Sequence, residues 1–149
     1  MANGICKSTL RRNIERFGAT VDADAVLRAW RASIGRALNV TLFDRRYRTV
    51  TEPVWRDALQ YSGVDEARYR SERRDCDDFA FWLKGQLAGK LALNGIGLVA
   101  DYGWGHAYNA LLVTEGSETR IVFCEPQTDA IIVPTNMHAR ALQNGQAIF

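Results

Sequence analysis

Three residues whose types can together run thiol chemistry stand in one order along the chain: Cys76, His106 and Glu125. Attack by a cysteine needs a thiolate, a histidine that takes and returns the proton, and a polar group that orients the histidine. Cys76 opens the segment Asp75-Cys76-Asp77-Asp78-Phe79-Ala80-Phe81-Trp82-Leu83, and Phe79, Ala80, Leu83, Leu87 and Leu91 recur at helical spacing. The spacing predicts a helix from there to about Leu93, stopped by Asn94 and Gly95. Free N–H groups at a helix start favour an anion and can hold an oxyanion. Asp75, Asp77 and Asp78 work against a thiolate by like charge, so an imidazolium partner has to outweigh them.

His106 and Glu125 come together through a hairpin. Strands are expected over Ile96 to Ala100, His106 to Val113, Thr119 to Glu125 and Ala130 to Val133, with a turn at Glu115-Gly116-Ser117. A reversal between Glu115 and Gly116 sets His106 directly opposite Glu125, with Cβ atoms about 4.5–5.5 Å apart on one sheet face. Tyr108 then opposes Phe123, and Ala110 opposes Ile121. A one-residue slip would send the carboxylate to the other face.

Each residue also has a plainer reading. Cys76 is a small hydrophobe, His106 part of a turn, Glu125 a strand end before Pro126. The chemical reading wins because a helix-start cysteine and a cross-strand His–Glu pair are both required and both present. Among other residues, Trp104 can wall a substrate cleft, and Gln60, the only glutamine before Cys76, is the candidate oxyanion donor. Asp75, Asp77 and Asp78 can ligate a hard cation such as calcium, or simply complement the helix dipole. Cys124 points away from Glu125 into a core, Cys6 is incidental, and His138 reads as a surface residue. No Cys or His spacing fits zinc.

The elements that must position these residues divide the chain. Its 149 residues are 47% hydrophobic and 24% charged, which suits one globular domain and excludes a disordered chain or a fibre. No apolar run approaches the roughly 20 residues that span a bilayer. The start shows no signal-peptide pattern, so a cytoplasmic or phage-encoded intracellular site and no membrane partner are expected. Three cysteines without a CxxC pair suit a reducing compartment or a thiol kept for chemistry. Residues 1–74 carry fifteen Lys and Arg against nine acids, and residues 75–149 four against eight. A basic half can attract an acidic partner, but no nucleic-acid motif accompanies it, so nucleic acid is not the expected partner. The first half reads as helices: Ser8 to about Phe17, Asp22 or Asp24 to about Leu38, and Thr51 to about Tyr61, with a turn or two more over Asp65 to Arg74. Helices followed by an antiparallel sheet give the α+β class.

Asp75-Cys76-Asp77-Asp78-Phe79-Ala80 resembles the C-[DE]-D-[FY]-A helix start of bacterial transglutaminase-like cysteine proteinases. Gly105-His106-Ala107-Tyr108-Asn109-Ala110-Leu111-Leu112-Val113 resembles their G-H-A-x-L-L-V strand. More widely, the order of residues resembles the papain-like and transglutaminase-like cysteine peptidases. The Cys-His-Glu set is most similar to the C-terminal peptidase domain of a mushroom agglutinin. The resemblance covers about residues 54–133, and the chain has no sugar-binding lectin repeat. It implies a papain-like fold, a cysteine peptidase acting on a peptide or protein through Cys76, His106 and Glu125, and calcium as an optional cofactor. The rival expectations are a peptidoglycan amide hydrolase or acyl transferase on the same fold, or a non-catalytic phage or bacterial binding or inhibitor protein using the basic helical half.

Overall fold

The computed structural model describes residues 5–35 and 39–149. The chain begins with α1 (Lys7–Phe17), β1 (Ala19–Asp22) and α2 (Ala23–Ile34). Next come β2 (Val40–Thr41), β3 (Arg46–Thr49), α3 (Glu52–Ser62) and α4 (Cys76–Leu91). The second half runs β4 (Ile96–Asp101), β5 (His106–Glu115), β6 (Glu118–Glu125), β7 (Ala130–Ile132), α5 (Asn136–Ala141) and β8 (Gln146–Ile148). The fold mixes helices and strands about one principal, largely antiparallel sheet, consistent with the α+β class.

Local chemistry sets the helix limits. Asp22 caps α2, its carboxylate accepting the Ala25 N–H at 2.7 Å. Thr51 precedes α3, Pro53 sits in its first turn, and Gly63 at φ 63° closes it. A reciprocal capping box between Asp75 and Asp78 starts α4, and Ala92 at φ 54° ends it.

The sheet runs in the order β2-β8-β4-β5-β6-β7, antiparallel except where β2 lies parallel to β8. One face buries Leu10 and Ile14 of α1, Trp55 and Leu59 of α3, and Phe79, Leu83 and Leu87 of α4 against Leu111, Val113, Val122 and Cys124. The other buries Val26 and Trp30 of α2 against Tyr108, Ala110, Leu112, Ile121 and Phe123. Covered on both faces, β5 reads as a nearly continuous apolar run. Trp55, fully buried, donates its indole N–H to the Leu112 carbonyl at 2.6 Å, tying α3 to β5. Trp55→Ala should cost about 3–5 kcal/mol, measured as a shift in urea unfolding; a cost below about 1 kcal/mol would contradict this packing.

Several expectations are corrected. The first 50 residues are not wholly helical. β1 and β3 pair antiparallel, from Ala19 opposite Thr49 to Asp22 opposite Arg46, and β2 joins the main sheet. Thr20 and Val21 are β-branched, and Tyr47 of β3, the cross-strand partner of Val21, is fully buried, so tertiary packing decides the conformation. The first helix has Cys6 rather than Ser8 as its N-cap. Ala37 and Leu38, expected in the second helix, lie outside the described residues. Residues 65–74 form turns and an Arg70–Arg74 bridge instead of helix, with Glu72 at φ 57° breaking helical backbone.

The hairpin register is also corrected. Asn109 pairs with Cys124 and Glu115 with Glu118, two residues away from the expected alignment. The loop is Gly116-Ser117, with Gly116 at φ 62° in the first central position, as a II′ turn requires. A two-residue slip preserves the faces, so the expected side-chain sets still lie together.

Candidate functional site: a Cys-His-Glu cluster at the sheet end

Helix α4 delivers Cys76 at its first residue, where backbone N–H groups have no partner within the helix. Its half-buried side chain packs against Ala80, Leu98 and Ala107. Strand β5 delivers His106 at its first residue, and β6 delivers Glu125 at its last. His106 Nε2 and Glu125 Oε2 lie 2.6 Å apart. Continuing the observed register sets Tyr108 opposite Glu125, so His106 meets the carboxylate on the diagonal. Diagonal neighbours are separated by about 7–8 Å at Cα, a span that a longer side chain bridges. This geometry explains why glutamate serves here.

The pair shapes the imidazole. Hydrogen bonding to Glu125 raises the His106 pKa to about 9, against the opposing effect of burial. Cys76 adds a smaller push in the same direction, without the aligned hydrogen bond that joins His106 to Glu125. Glu125 engages Nε2, so the Glu125 bond does not occupy Nδ1.

Two polar residues missed in the sequence hold this arrangement. Asp101, 1% exposed, accepts the Gly103 and Trp104 N–H groups at 3.0 and 3.1 Å and the Tyr108 hydroxyl at 3.2 Å. It fixes the turn leading into His106. The signal was the Asp-x-Gly sequence, an Asx-turn pattern. Asn109, fully buried, donates to the carbonyls of Ala80 at 3.0 Å and Gly97 at 3.1 Å. It ties the thiol helix to the histidine strand. Its signal was a lone amide within an apolar strand.

A cavity of about 70 Å³ lies beside His106, lined by Trp104, Tyr108, Phe123, Glu125, Ile132 and His138, with Cys124 also contributing to its wall. Trp104 lines this cavity beside His106. His138 is not simply a surface residue: it meets Trp104 edge-on at 5.0 Å between ring centroids. Its Nδ1 accepts the Thr135 N–H at 3.0 Å, and burial lowers its pKa. Cys124 is buried, and burial pushes its thiol up. Cys6 is exposed, with hydrogen bonds from Ser8 and Thr9 lowering its pKa to about 7.

Gln60 is exposed on α3, and among the described residues no hydrogen bond joins it to Cys76, His106 or Glu125. Asp75, Asp77 and Asp78 can each offer an oxygen within 4.8 Å of the others, enough to hold a hard cation. Two of them also form the α4 capping box, and a hydrogen bond with Asp77 raises the Asp75 pKa.

No protein-family profile matches the chain, and no curated protein matches it. Solved structures do. PSL1a in complex with E64 is similar over 87% of this chain and 51% of its own, at 27% identity and a TM-score of 0.65. Polyporus squamosus lectin bound to the human-type influenza-binding epitope Neu5Aca2-6Galb1-4GlcNAc is similar over 87% of this chain and 49% of its own, at 22% identity and a TM-score of 0.66. The chain thus spans about half the length of the structures it matches.

These likenesses correct the expected family and activity. The glycan-bound neighbour is named as a lectin and neither name is that of a peptidase, so the peptidase resemblance gives way to a likeness to the lectin's fold. The expectations of an enzyme, and of a hydrolase or thiol protease, are overturned by the same finding. The expected peptide substrate likewise has no counterpart in the glycan named in the lectin complex. Among the described residues, no helix is long and apolar enough to cross a membrane.

Proposed function

We propose that the chain is a ligand-binding module with a reactive thiol at its site. The observation that carries this reading is the 2.6 Å His106–Glu125 bond, which holds a proton-accepting imidazole beside Cys76. Cys76 is the nucleophile, His106 takes its proton, and Glu125 orients His106 and stabilises its charged form. Capture of an electrophilic ligand forms a bond from Cys76 Sγ to carbon. The leaving group departs with the electron pair of the broken bond, and the thiol proton passes to His106. Papain-like packing of the thiol helix on the sheet belongs to the same proposal. The complexes of PSL1a with E64 and of the lectin with its glycan support a ligand-binding role.

The test is iodoacetamide labelling of the native protein from pH 5 to 9, resolved by peptide mass spectrometry. Cys76 should label well below pH 8 and faster than Cys124. Cys6, with its lowered pKa, serves as the exposed reference. Labelling of Cys76 that is slower than Cys6 throughout would overturn the reading. Glycan binding is a second reading, favoured by the lectin complex. Calorimetric titration with Neu5Aca2-6Galb1-4GlcNAc measures it directly, with binding heat supporting it and its absence at millimolar glycan removing it.

A further inference from the structure

Helix α5 borders two hollows. His138 lines the small cavity beside His106, while Asn136 and Arg140 line a cleft of about 630 Å³ that shares no residue with it. The volume of the cleft lies within the roughly 300–1,000 Å³ of small-molecule sites. Trp30 of α2, Leu142 and Ala147 of β8 are buried and give it an apolar floor. The Trp30 indole meets Phe123 and Phe149 edge-on, at 6.3 and 6.2 Å between ring centroids. Its N–H is buried and has no acceptor among the described residues, an uncommon state for a donor in a folded chain. The rim is polar. Asn136, Gln143 and Asn144 are exposed and Gln146 is half-buried, so four carboxamides there can each donate and accept. Arg140 is the one charged side chain of the lining, and among the described residues it forms no ion pair.

We infer that this cleft binds a small oxyanion carried on a hydroxyl-rich body, with the anion on Arg140 and the hydroxyls on the carboxamides. The inference goes beyond the reactive-thiol reading and stands on different residues. A planar guanidinium with free donors takes a carboxylate or a phosphate bidentately. No carboxylate of the wall competes for it among the described residues. Hydroxyl groups suit the carboxamides, because both partners donate and accept. The apolar floor covers the less polar side of such a body, while the exposed rim leaves the anion's path to Arg140 open.

Nitrogen–proton correlation NMR of the native protein tests this at one atom, the Trp30 indole N–H, whose resonance Trp30→Phe identifies. The probes are D-glucuronate, D-glucosyl phosphate and D-glucose, which share a ring and differ in charge. Titrated at millimolar concentration and constant ionic strength, the two anions should move the Trp30 resonance to saturation. Each should bind at least about tenfold more tightly than glucose, for one charge-assisted bidentate contact. The tighter of the two identifies the preferred anion as carboxylate or phosphate. In Arg140→Gln, which removes the charge from an exposed side chain, the preference over glucose should fall to about one. Arg140→Lys keeps the charge and loses the fork, so its preference should lie between the two.

A Trp30 resonance that none of the three probes moves would overturn the site. Equal affinity for glucose and the two anions would overturn the anion's part in it. A preference that survives Arg140→Gln would put the anion elsewhere and overturn the assignment to Arg140. Movement of the Trp104 indole with Trp30 unmoved would place the ligand in the small cavity beside His106 and overturn the cleft. Alkylation of Cys76, measured separately, tests the thiol reading and bears on none of these outcomes.

Discussion

At pH 7, His106→Ala should slow alkylation of Cys76 by about a hundredfold or more, because a positioned acid–base group contributes about 10²–10⁴-fold. On the proposed reading His106 takes the thiol proton, and the Glu125 bond raises the imidazole's affinity for a proton. Glu125→Gln should have a smaller effect, since it leaves the imidazole in place and removes the charge that biases it. The His106 pKa should then fall from about 9 toward 6.5. Imidazole NMR titration of both proteins measures the fall, and alkylation rates measure its consequence. A loss in Glu125→Gln equal to or greater than that in His106→Ala would count against an orienting role for the carboxylate.

The same pair makes a signed stability prediction. The folded-state pKa of His106 lies above the unfolded value, so the imidazolium form is the one that folding favours. Its contribution is fully present below about pH 6.5 and is lost as pH rises through about 9. The gap in urea midpoint between the native protein and Glu125→Gln should therefore shrink from pH 6.5 to pH 10. A gap that widened across that interval would reverse the assigned sign.

The His–Glu pairing was legible because sheet faces depend on parity. The turn was misplaced, yet a shift of two residues left His106, Tyr108, Glu125 and Phe123 on one face. The start of α4 was legible because apolar periodicity, acidic capping residues and a following Gly95 all point to the same helix. Short strands fared worse. β1, β2 and β8 have four, two and three residues, too few for an alternation pattern to rise above the neighbouring helical signal. Their conformation is set by partners far along the chain: Val40 pairs with Ala147, and Val99 also pairs with Ala147. His138 was misread for a similar reason. Its segment is polar in sequence, and only folding brings it against Trp104 and Phe123.

Asn109→Asp should be among the most damaging single-atom-scale changes in the molecule. Asn109 is fully buried, and its amide nitrogen faces two carbonyl oxygens, those of Ala80 and Gly97. A carboxylate at this position would replace two donated hydrogen bonds with acceptor facing acceptor, and would bury a charge without a partner. The expected loss at pH 8 exceeds about 3 kcal/mol. Burial would raise the new carboxyl's pKa above its unfolded value, so the sign is fixed. The damage should be least near pH 4, where the protonated acid can still donate one hydrogen bond, and should grow as pH rises. Asn109→Leu separates charge from packing, because it removes the donors without adding a charge. Its loss should be smaller at pH 8 and nearly independent of pH. Urea unfolding at pH 4.5 and pH 8 reads both variants, and a pH-independent loss in Asn109→Asp would contradict the buried-charge account. The functional consequence follows from where the two bonds lead. One ends on α4, four residues past Cys76, and the other on β4, while Asn109 itself is three residues past His106. Loosening that junction separates the thiol from the imidazole. In Asn109→Leu, where enough native protein should remain to assay, Cys76 alkylation should slow while the His106–Glu125 pair keeps its raised imidazole pKa. A fall in that pKa would instead show that Asn109 acts on the hairpin rather than on the helix.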